Sequence, residues 1–278
     1  MAWRVVIAGG GFGGFNAACS LLAHMPRHGV SVTLVTETNF MLYTPLLPGA
    51  GGGSLEPRHV VVPLREELPD GVDLRLGRVV GADPDENVVH VQTLEGHSEE
   101  IRYDHLVVSV GSVSRTLPVP GLAEHGHGFK SLPDAIGLRD RVVRNFEAAE
   151  TLEDVELRRE YLTYIFVGAG YAGLEGLAEL QDFAADLIDR YPRCRVSGMR
   201  WILVEATDRI MPEISEELAE FAVAELRARG IEFRTGTTLD SLTARSATLA
   251  GGEVVPTRTV VWTAGVKPHP VVARLGLP

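Results

Sequence analysis

A chain of 278 residues has room for about two domains of ~150 residues each, and its 45% apolar content is enough for packed cores in both. A net charge of −11 argues against nucleic acid as a partner, because phosphates demand a positive surface. No apolar run approaches the ~18 residues of a membrane span.

The N-terminus Met1-Ala2-Trp3-Arg4 leads straight into a strand-like run, so no signal peptide is expected. Val5-Val6-Ile7-Ala8 reads as a buried strand, followed by Gly9, Gly11 and Gly14 and a helical stretch from Phe15 to about Met25. The apolar run Val32 to Thr36 ends at Glu37. Strand-like segments follow at Val72 to Ala82, Asn87 to Leu94 and His105 to Val110, the first two joined by the turn Pro84-Asp85-Glu86-Asn87. Ser131-Leu132-Pro133-Asp134 opens a helix to about Ala149, with Ser131 as its cap and Asp134 at the positive dipole end. Tyr164-Ile165-Phe166-Val167 then repeats the first strand, and Gly168, Gly170 and Gly173 repeat the glycines. Leu174 to about Asp189 repeats the helix. Trp201 to Glu205 is a further strand, Ser215 to Arg229 a helix closed by Gly230, and Ile231 to Arg234 and Thr259 to Thr263 are strands. Continuous apolar strands suit a parallel sheet covered on both faces, so the expected class is α/β with two Rossmann-like dinucleotide-binding units.

Each glycine set has the form GxGxxG between a strand and a helix. The first glycine permits the tight turn, the second lets backbone approach a pyrophosphate, and the third lets helix and strand pack closely. The phosphates would then lie at a helix N-terminus, against free N–H groups. One such match in a chain with 30 glycines is weak; two, each trailed by an acid at the end of the next strand, are not. Glu37 and Glu205 are placed to accept hydrogen bonds from ribose hydroxyls, although each could also be an ordinary surface carboxylate at a strand end. A carboxylate at 205 would repel a 2′-phosphate and favour NADH over NADPH. Arg209 weakens that inference unless it is solvated or paired with Asp208 or Glu213.

Gly9-Gly10-Gly11-Phe12-Gly13-Gly14, followed by Thr38-Asn39-Phe40-Met41-Leu42-Tyr43-Thr44-Pro45-Leu46-Leu47-Pro48, resembles the type II NADH dehydrogenases, the single-subunit NADH:quinone oxidoreductases of the FAD/NAD(P)-binding pyridine nucleotide-disulfide oxidoreductase-like superfamily. Arg102 to Ser112, Pro120 to His125, Lys130 to Ala135, Gly173-Leu174-Glu175 with Ala178-Glu179-Leu180, and Val261-Trp262-Thr263-Ala264-Gly265-Val266 are similar to further segments of that family. The resemblance implies a flavoprotein that passes hydride from NADH to FAD and electrons on to a quinone or other acceptor. FAD would be held by Gly9, Gly11, Phe12, Gly13, Gly14, Glu37, Asn39, Thr44, Pro45, Leu46 and Gly111. NADH would be held by Gly168, Gly170, Tyr171, Ala172, Gly173, Glu205, Ala264 and Gly265. Glu175 matches the family glutamate near the meeting point of nicotinamide and flavin; it could instead be a first-turn acid favoured by the helix dipole.

The resemblance divides the chain into an FAD-binding part, residues 1–115, and an NADH-binding part with its crossover helix, residues 116–278. Two departures stand out. The run Gly49-Ala50-Gly51-Gly52-Gly53 is richer in glycine than the family loop and is expected to be mobile. The chain also reaches Pro278 before the family's return segment, with its Gly-Asp motif, quinone motif and membrane-docking helices. The FAD unit is therefore expected to be incomplete at its C-terminus, with weak FAD binding, intact NADH binding and little quinone reduction. Membrane docking, on the cytoplasmic face of the inner membrane, is implied only for full-length relatives, and a homodimer is possible.

Cys19 and Cys194 form no CxxC or CxxxxC pair, which sets aside disulfide reductases and favours a cytoplasmic compartment. Cys19 is expected in a helix core and Cys194 in a polar loop. No metal site is expected: Pro26 separates His24 from His28, and His125 and His127 flank Gly126 in a solvated loop. A reading from another class is a non-catalytic or truncated NAD(H)/FAD-binding module such as a redox sensor. A yellow protein bleached by NADH would favour the enzyme, and a colourless one that still binds NADH the module.

Overall fold

A computed structural model describes residues 2–25 and 29–277; Pro26, His28 and Pro278 lie outside the described residues. The chain forms two compact units. The first comprises Met1–Tyr43, Val61–Val113 and Lys267–Pro278, and the second Thr44–Val60 and Ser114–Val266. This division differs from a single cut at 115/116 by exchanging two segments.

In the first unit, β1 (Trp3–Ala8) runs into α1 (Phe12–His24), and β2 (Val30–Thr36) returns parallel to β1 with Val5 opposite Val32. β3 (Val72–Asp83) begins parallel to β2 and continues antiparallel to β4 (Val88–Thr93), which pairs with β5 (Ser98–Arg102). β6 (His105–Val108) closes the other side of β1, giving the order β5-β4-β3-β2-β1-β6. The chain therefore leaves β1 toward one neighbour and later supplies the other, which opens a crevice beyond the carboxyl end of β1. β5 was not expected from the sequence. Its Ser-Glu-Glu-Ile-Arg composition is that of an exposed edge strand with almost no apolar alternation. The segment after Lys267 also belongs here: Val271 and Leu275 are buried with Val6, Ala8, Val35, Val79 and Tyr103. The last residues of the chain thus pack in this unit, where the expected division at 115/116 placed them in the second.

The second unit carries α2 (Leu47–Gly52), α3 (Leu132–Thr151), α4 (Val155–Leu162), α5 (Tyr171–Ile188) and α6 (Glu216–Ala228). Its parallel sheet uses β7 (Gly126–Gly128), β8 (Thr163–Val167), β9 (Arg200–Val204) and β10 (Ile231–Arg234). Three antiparallel strands, β11 (Leu239–Leu242), β12 (Ser246–Leu249) and β13 (Val254–Pro256), precede β14 (Thr259–Trp262). The sheet order is β7-β14-β8-β9-β10, so β8 has the same switch-point position as β1. Every residue of β8 is buried, as a two-sided sheet requires, and Ile165 and Val167 pack with Ile202, Val260, Leu242 and Leu249 beneath the antiparallel strands. Ser131 Oγ accepts the Asp134 N–H, and Asp134 returns an oxygen to the Ser131 N–H at 2.8 Å, a capping box worth ~1 kcal/mol.

The glycine run at 49–53 is not a mobile loop. Leu47 to Gly51 are buried in α2, which packs on α5. A Cβ at Gly52 would stand 2.8 Å from the Glu179 carbonyl oxygen, and one at Gly51 3.1 Å from the Phe129 ring. Glycine here buys close approach between helices, a role that the local sequence cannot distinguish from loop flexibility.

Candidate nucleotide-binding sites

Gly9 has φ +105°, which a side chain resists, and its N–H donates to the Val35 carbonyl at 2.8 Å. A Cβ on Gly14 would fall inside the envelope of the Gly9 carbonyl oxygen. Ser109 seals the turn from β6: its hydroxyl lies 3.0 Å from both the Ala8 and Gly9 carbonyl oxygens. Gly11 differs from both glycines. Its φ of −77° suits any residue, and nothing lies within 4 Å of a Cβ built on it. The protein itself makes no demand for glycine there; the space above it is open. α1 starts at once behind Gly11, with no side-chain cap on its first turn. Beside this lies a crevice of about 240 Å³ lined by Gly9, Gly11, Glu37, Gly77, Gly111 and His269, among others. Arg78 holds Glu37 from 3.1 Å, a pair exposed enough to contribute little stability.

The second unit repeats each part. Gly168 has φ +108° and donates to the Val204 carbonyl at 2.8 Å; a Cβ on Gly173 would overlap the Gly168 carbonyl oxygen and lie 2.5 Å from Thr263 Oγ. Thr263 stands where Ser109 does, its hydroxyl 3.0 Å from the Val167 and Gly168 carbonyl oxygens. Gly170, with φ −75°, again has open space above it, and α5 begins uncapped behind it. Gly168, Gly170, Tyr171, Ala172, Gly173, Glu205, Ala264 and Gly265 all line one cleft of about 480 Å³. Here the strand-end acid is built into the turn. Glu205 Oε2 accepts the Ala169 N–H at 2.7 Å, and Oε1 accepts the Thr207 N–H and hydroxyl at 2.9 and 3.0 Å.

An adjoining cleft of about 460 Å³, mainly apolar, shares Tyr171, Ala172 and Gly265 with the first and adds Thr44, Pro45, Pro48, Phe129, Lys130 and Glu175. Burial, then the charge of Glu179 one turn along α5, raises the Glu175 carboxyl above its ordinary pKa. The residues expected to hold FAD are divided between the two units. Gly9, Gly11, Glu37 and Gly111 line the first unit's crevice, whereas Thr44, Pro45 and Leu46 belong to the second unit and line clefts there with Glu175. Phe12 packs edge-on to Tyr43, with ring centroids 5.6 Å apart. Asn39 uses its carbonyl to accept the Leu64 N–H.

Ser109 and Thr263 were missed as turn-sealing residues, although a hydroxyl two places before a glycine, Ser109-Val110-Gly111 and Thr263-Ala264-Gly265, recurs behind both strands. Three other expectations change. His127 is half-buried in β7 with Nε2 unpartnered, and burial, reinforced by Arg141, pushes its pKa down to about 4. Cys194 is fully buried in the short helix Pro192–Ser197, and burial pushes its thiol up to about 12. Arg209 pairs with neither Asp208 nor Glu213; it donates to the Ile214 carbonyl oxygen.

A strand, a glycine turn and an uncapped helix, twice over and each at a sheet switch point, define an α/β protein with two Rossmann-like dinucleotide-binding units. The family model described as pyridine nucleotide-disulphide oxidoreductase matches residues 3–278, and the chain belongs to that family. It is 32% identical over 283 residues to the mitochondrial external alternative NAD(P)H-ubiquinone oxidoreductase B2 of Arabidopsis thaliana, which covers 97% of this chain and 48% of that relative. It is also 32% identical over 280 residues to the type II NADH:quinone oxidoreductase of Mycobacterium tuberculosis, covering 98% and 58%. The chain thus spans about half the length of the curated relatives it matches. Its fold superposes with a TM-score of 0.92 on NDH2 from Plasmodium falciparum in complex with NADH, at 19% identity, over 99% of this chain and 57% of that one. Among the described residues, no helix is long and apolar enough to cross a membrane.

Proposed function

We propose that this chain is the nucleotide-binding part of a flavoprotein oxidoreductase, with FAD on the first unit and NADH on the second. The observation that carries the reading is the open space above Gly11 and Gly170, each beside an uncapped helix start. A glycine that neither its φ nor its packing requires leaves room for something outside the chain, and a helix N-terminus selects an anion. The relatives' names supply the reaction class. When bound, NADH supplies hydride, FAD accepts it, and a quinone takes the electrons.

The chain's own residues bind and orient. The first-turn N–H groups behind Gly11 and Gly170 hold the two diphosphates. Glu37 and Glu205 accept ribose hydroxyls, and the Glu205 carboxylate disfavours a 2′-phosphate, selecting NADH over NADPH. Glu175, in the apolar cleft beside Tyr171 and Lys130, orders the nicotinamide end. Phe12, Gly13, Gly14 and Gly111 shape the flavin-side crevice; Asn39, Thr44, Pro45 and Leu46 complete the FAD contacts. Tyr171, Ala172, Gly173, Ala264 and Gly265 wall the NADH cleft.

The test is separate titration of the purified chain with FAD and with NADH, followed by a visible spectrum on mixing. Binding of both, with flavin absorbance bleached by NADH, is the expected result. A chain that binds neither dinucleotide refutes the reading.

A further inference from the structure

His269 stands in the first unit's crevice, in the segment Lys267-Pro268-His269-Pro270, and no part of the function proposed above uses it. Two prolines restrict the backbone on either side, and His269 has the extended φ −57°, ψ 131° that a following proline imposes. Its N–H donates to the Gly111 carbonyl at 3.1 Å, which ties it to the turn that faces Gly9 through Ser109. Its ring is also held: Nδ1 accepts the Val271 N–H at 3.2 Å and caps the turn Pro270–Arg274. A ring nitrogen that accepts an N–H carries its lone pair there, so in the neutral imidazole the proton sits on Nε2. Among the described residues, Nε2 has no partner. His269 lines the crevice, so an imidazole fixed in this way offers it a ring N–H donor.

The rest of its lining explains why a donor matters. Glu37 can only accept, the Ser109 hydroxyl is already donated to backbone carbonyls, and among the described residues that line the crevice the side-chain donors left are the Thr36 hydroxyl and His269, with no Lys or Arg. A bound diphosphate would otherwise meet backbone N–H groups and one hydroxyl, with no side-chain N–H donor. We infer that His269 is a further nucleotide-binding residue, whose Nε2–H donates to a diphosphate oxygen of the dinucleotide in this crevice. The inference rests on the nucleotide reading of the first unit and names a side chain that reading did not contain.

Two measurements test it. The first is 15N NMR of the imidazole in the unsubstituted chain without ligand, where Nδ1 is expected unprotonated and Nε2 protonated. The second compares H269S with the unsubstituted chain by titration with FAD, ADP and adenosine. Serine is a good N-cap and keeps the turn, but its hydroxyl is too short to replace Nε2. The dissociation constants for FAD and ADP are expected to rise about tenfold or more, the scale of a hydrogen bond to a charged oxygen, with the adenosine value and the melting temperature essentially unchanged. H269N, which keeps both an acceptor for Val271 and an amide donor, should retain more affinity than H269S. An Nδ1–H tautomer overturns the inference, as does equal loss for ADP and adenosine. So does FAD and ADP binding that H269S leaves within twofold while G11A abolishes it, an outcome that spares the crevice reading. No ADP or FAD binding by the unsubstituted chain overturns both.

Discussion

Replacing Gly170 by alanine separates what the protein needs of its glycines from what a ligand needs. The backbone at Gly170 lies at φ −75°, ψ 178°, and a new Cβ would meet nothing within 4 Å. Alanine is a poorer N-cap than glycine by roughly 0.5–1 kcal/mol, but it also narrows the unfolded ensemble by ~0.4–1 kcal/mol. The two effects nearly cancel, so the melting temperature should move by no more than about 3 °C. The methyl group would, however, occupy the space in which a diphosphate must approach the turn. Overpacking of this kind costs ~1–3 kcal/mol, which raises the NADH dissociation constant about 5- to 150-fold. Gly173→Ala is the contrast. Its Cβ would overlap the Gly168 carbonyl oxygen and sit 2.5 Å from Thr263 Oγ, with the backbone of the turn unable to give way. That substitution should cost at least ~3 kcal/mol of stability and lower the melting temperature by about 6–12 °C. Thermal unfolding monitored by circular dichroism and a fluorescence titration with NADH read the two effects separately. Gly170→Ala destabilising as much as Gly173→Ala, or leaving NADH affinity intact, would refute the reasoning.

Glu205→Gln replaces a carboxylate that accepts on both oxygens with an amide that has one acceptor, so one of the Ala169 and Thr207 N–H groups loses its partner. NADH affinity should fall about tenfold or more and NADPH affinity fall less or improve; equal losses would remove the ribose role. His127 titrates at about 4 in the fold against an ordinary value of 6.5, so its contribution to stability is full above pH 6.5 and is lost as pH falls toward 4. After discounting for partial exposure this amounts to ~1–2 kcal/mol, and urea denaturation at pH 7 and pH 4.5 should show the loss shrinking in His127→Leu. Gly137→Ala and Gly52→Ala should have opposite signs. Gly137 is exposed in α3 with nothing near its Cβ and should gain ~0.5–1 kcal/mol of helix propensity, whereas Gly52 faces the Glu179 backbone at 2.8 Å and should lose ~1–2 kcal/mol, both measurable by chemical denaturation.

Much of the site was legible because its parts are local. Gly9 and Gly168 need positive φ within a single turn, the strands before them are unbroken apolar runs, and α1 and α5 follow within a few residues. The same locality made the Ser131 cap readable, since both of its partners lie within three residues. The sequence pattern starts the helices at Phe15 and Leu174, three residues past Phe12 and Tyr171, because the glycines read as loop where the helix has already begun.

Other features depended on groups far apart in the chain. Ser109 reaches Gly9 across 100 residues, and Gly52 is required by Glu179 on another helix. Cys194 and His127 look solvated in their polar and glycine-flanked sequence, yet each is enclosed by elements that arrive from elsewhere: the Phe146 carbonyl meets the Cys194 thiol, and β14 pairs with His127. Thr44 to Val60 read as a continuation of the first unit but packs within the second, through glycines whose missing side chains admit a neighbouring helix. The sequence by itself therefore determined the two glycine turns, their strands and the acids at the strand ends, because backbone sterics and apolar periodicity act over a few residues. Burial, partner choice and the lining of each cleft were decided by the tertiary structure, because a side chain's environment is set by whichever distant segment packs against it.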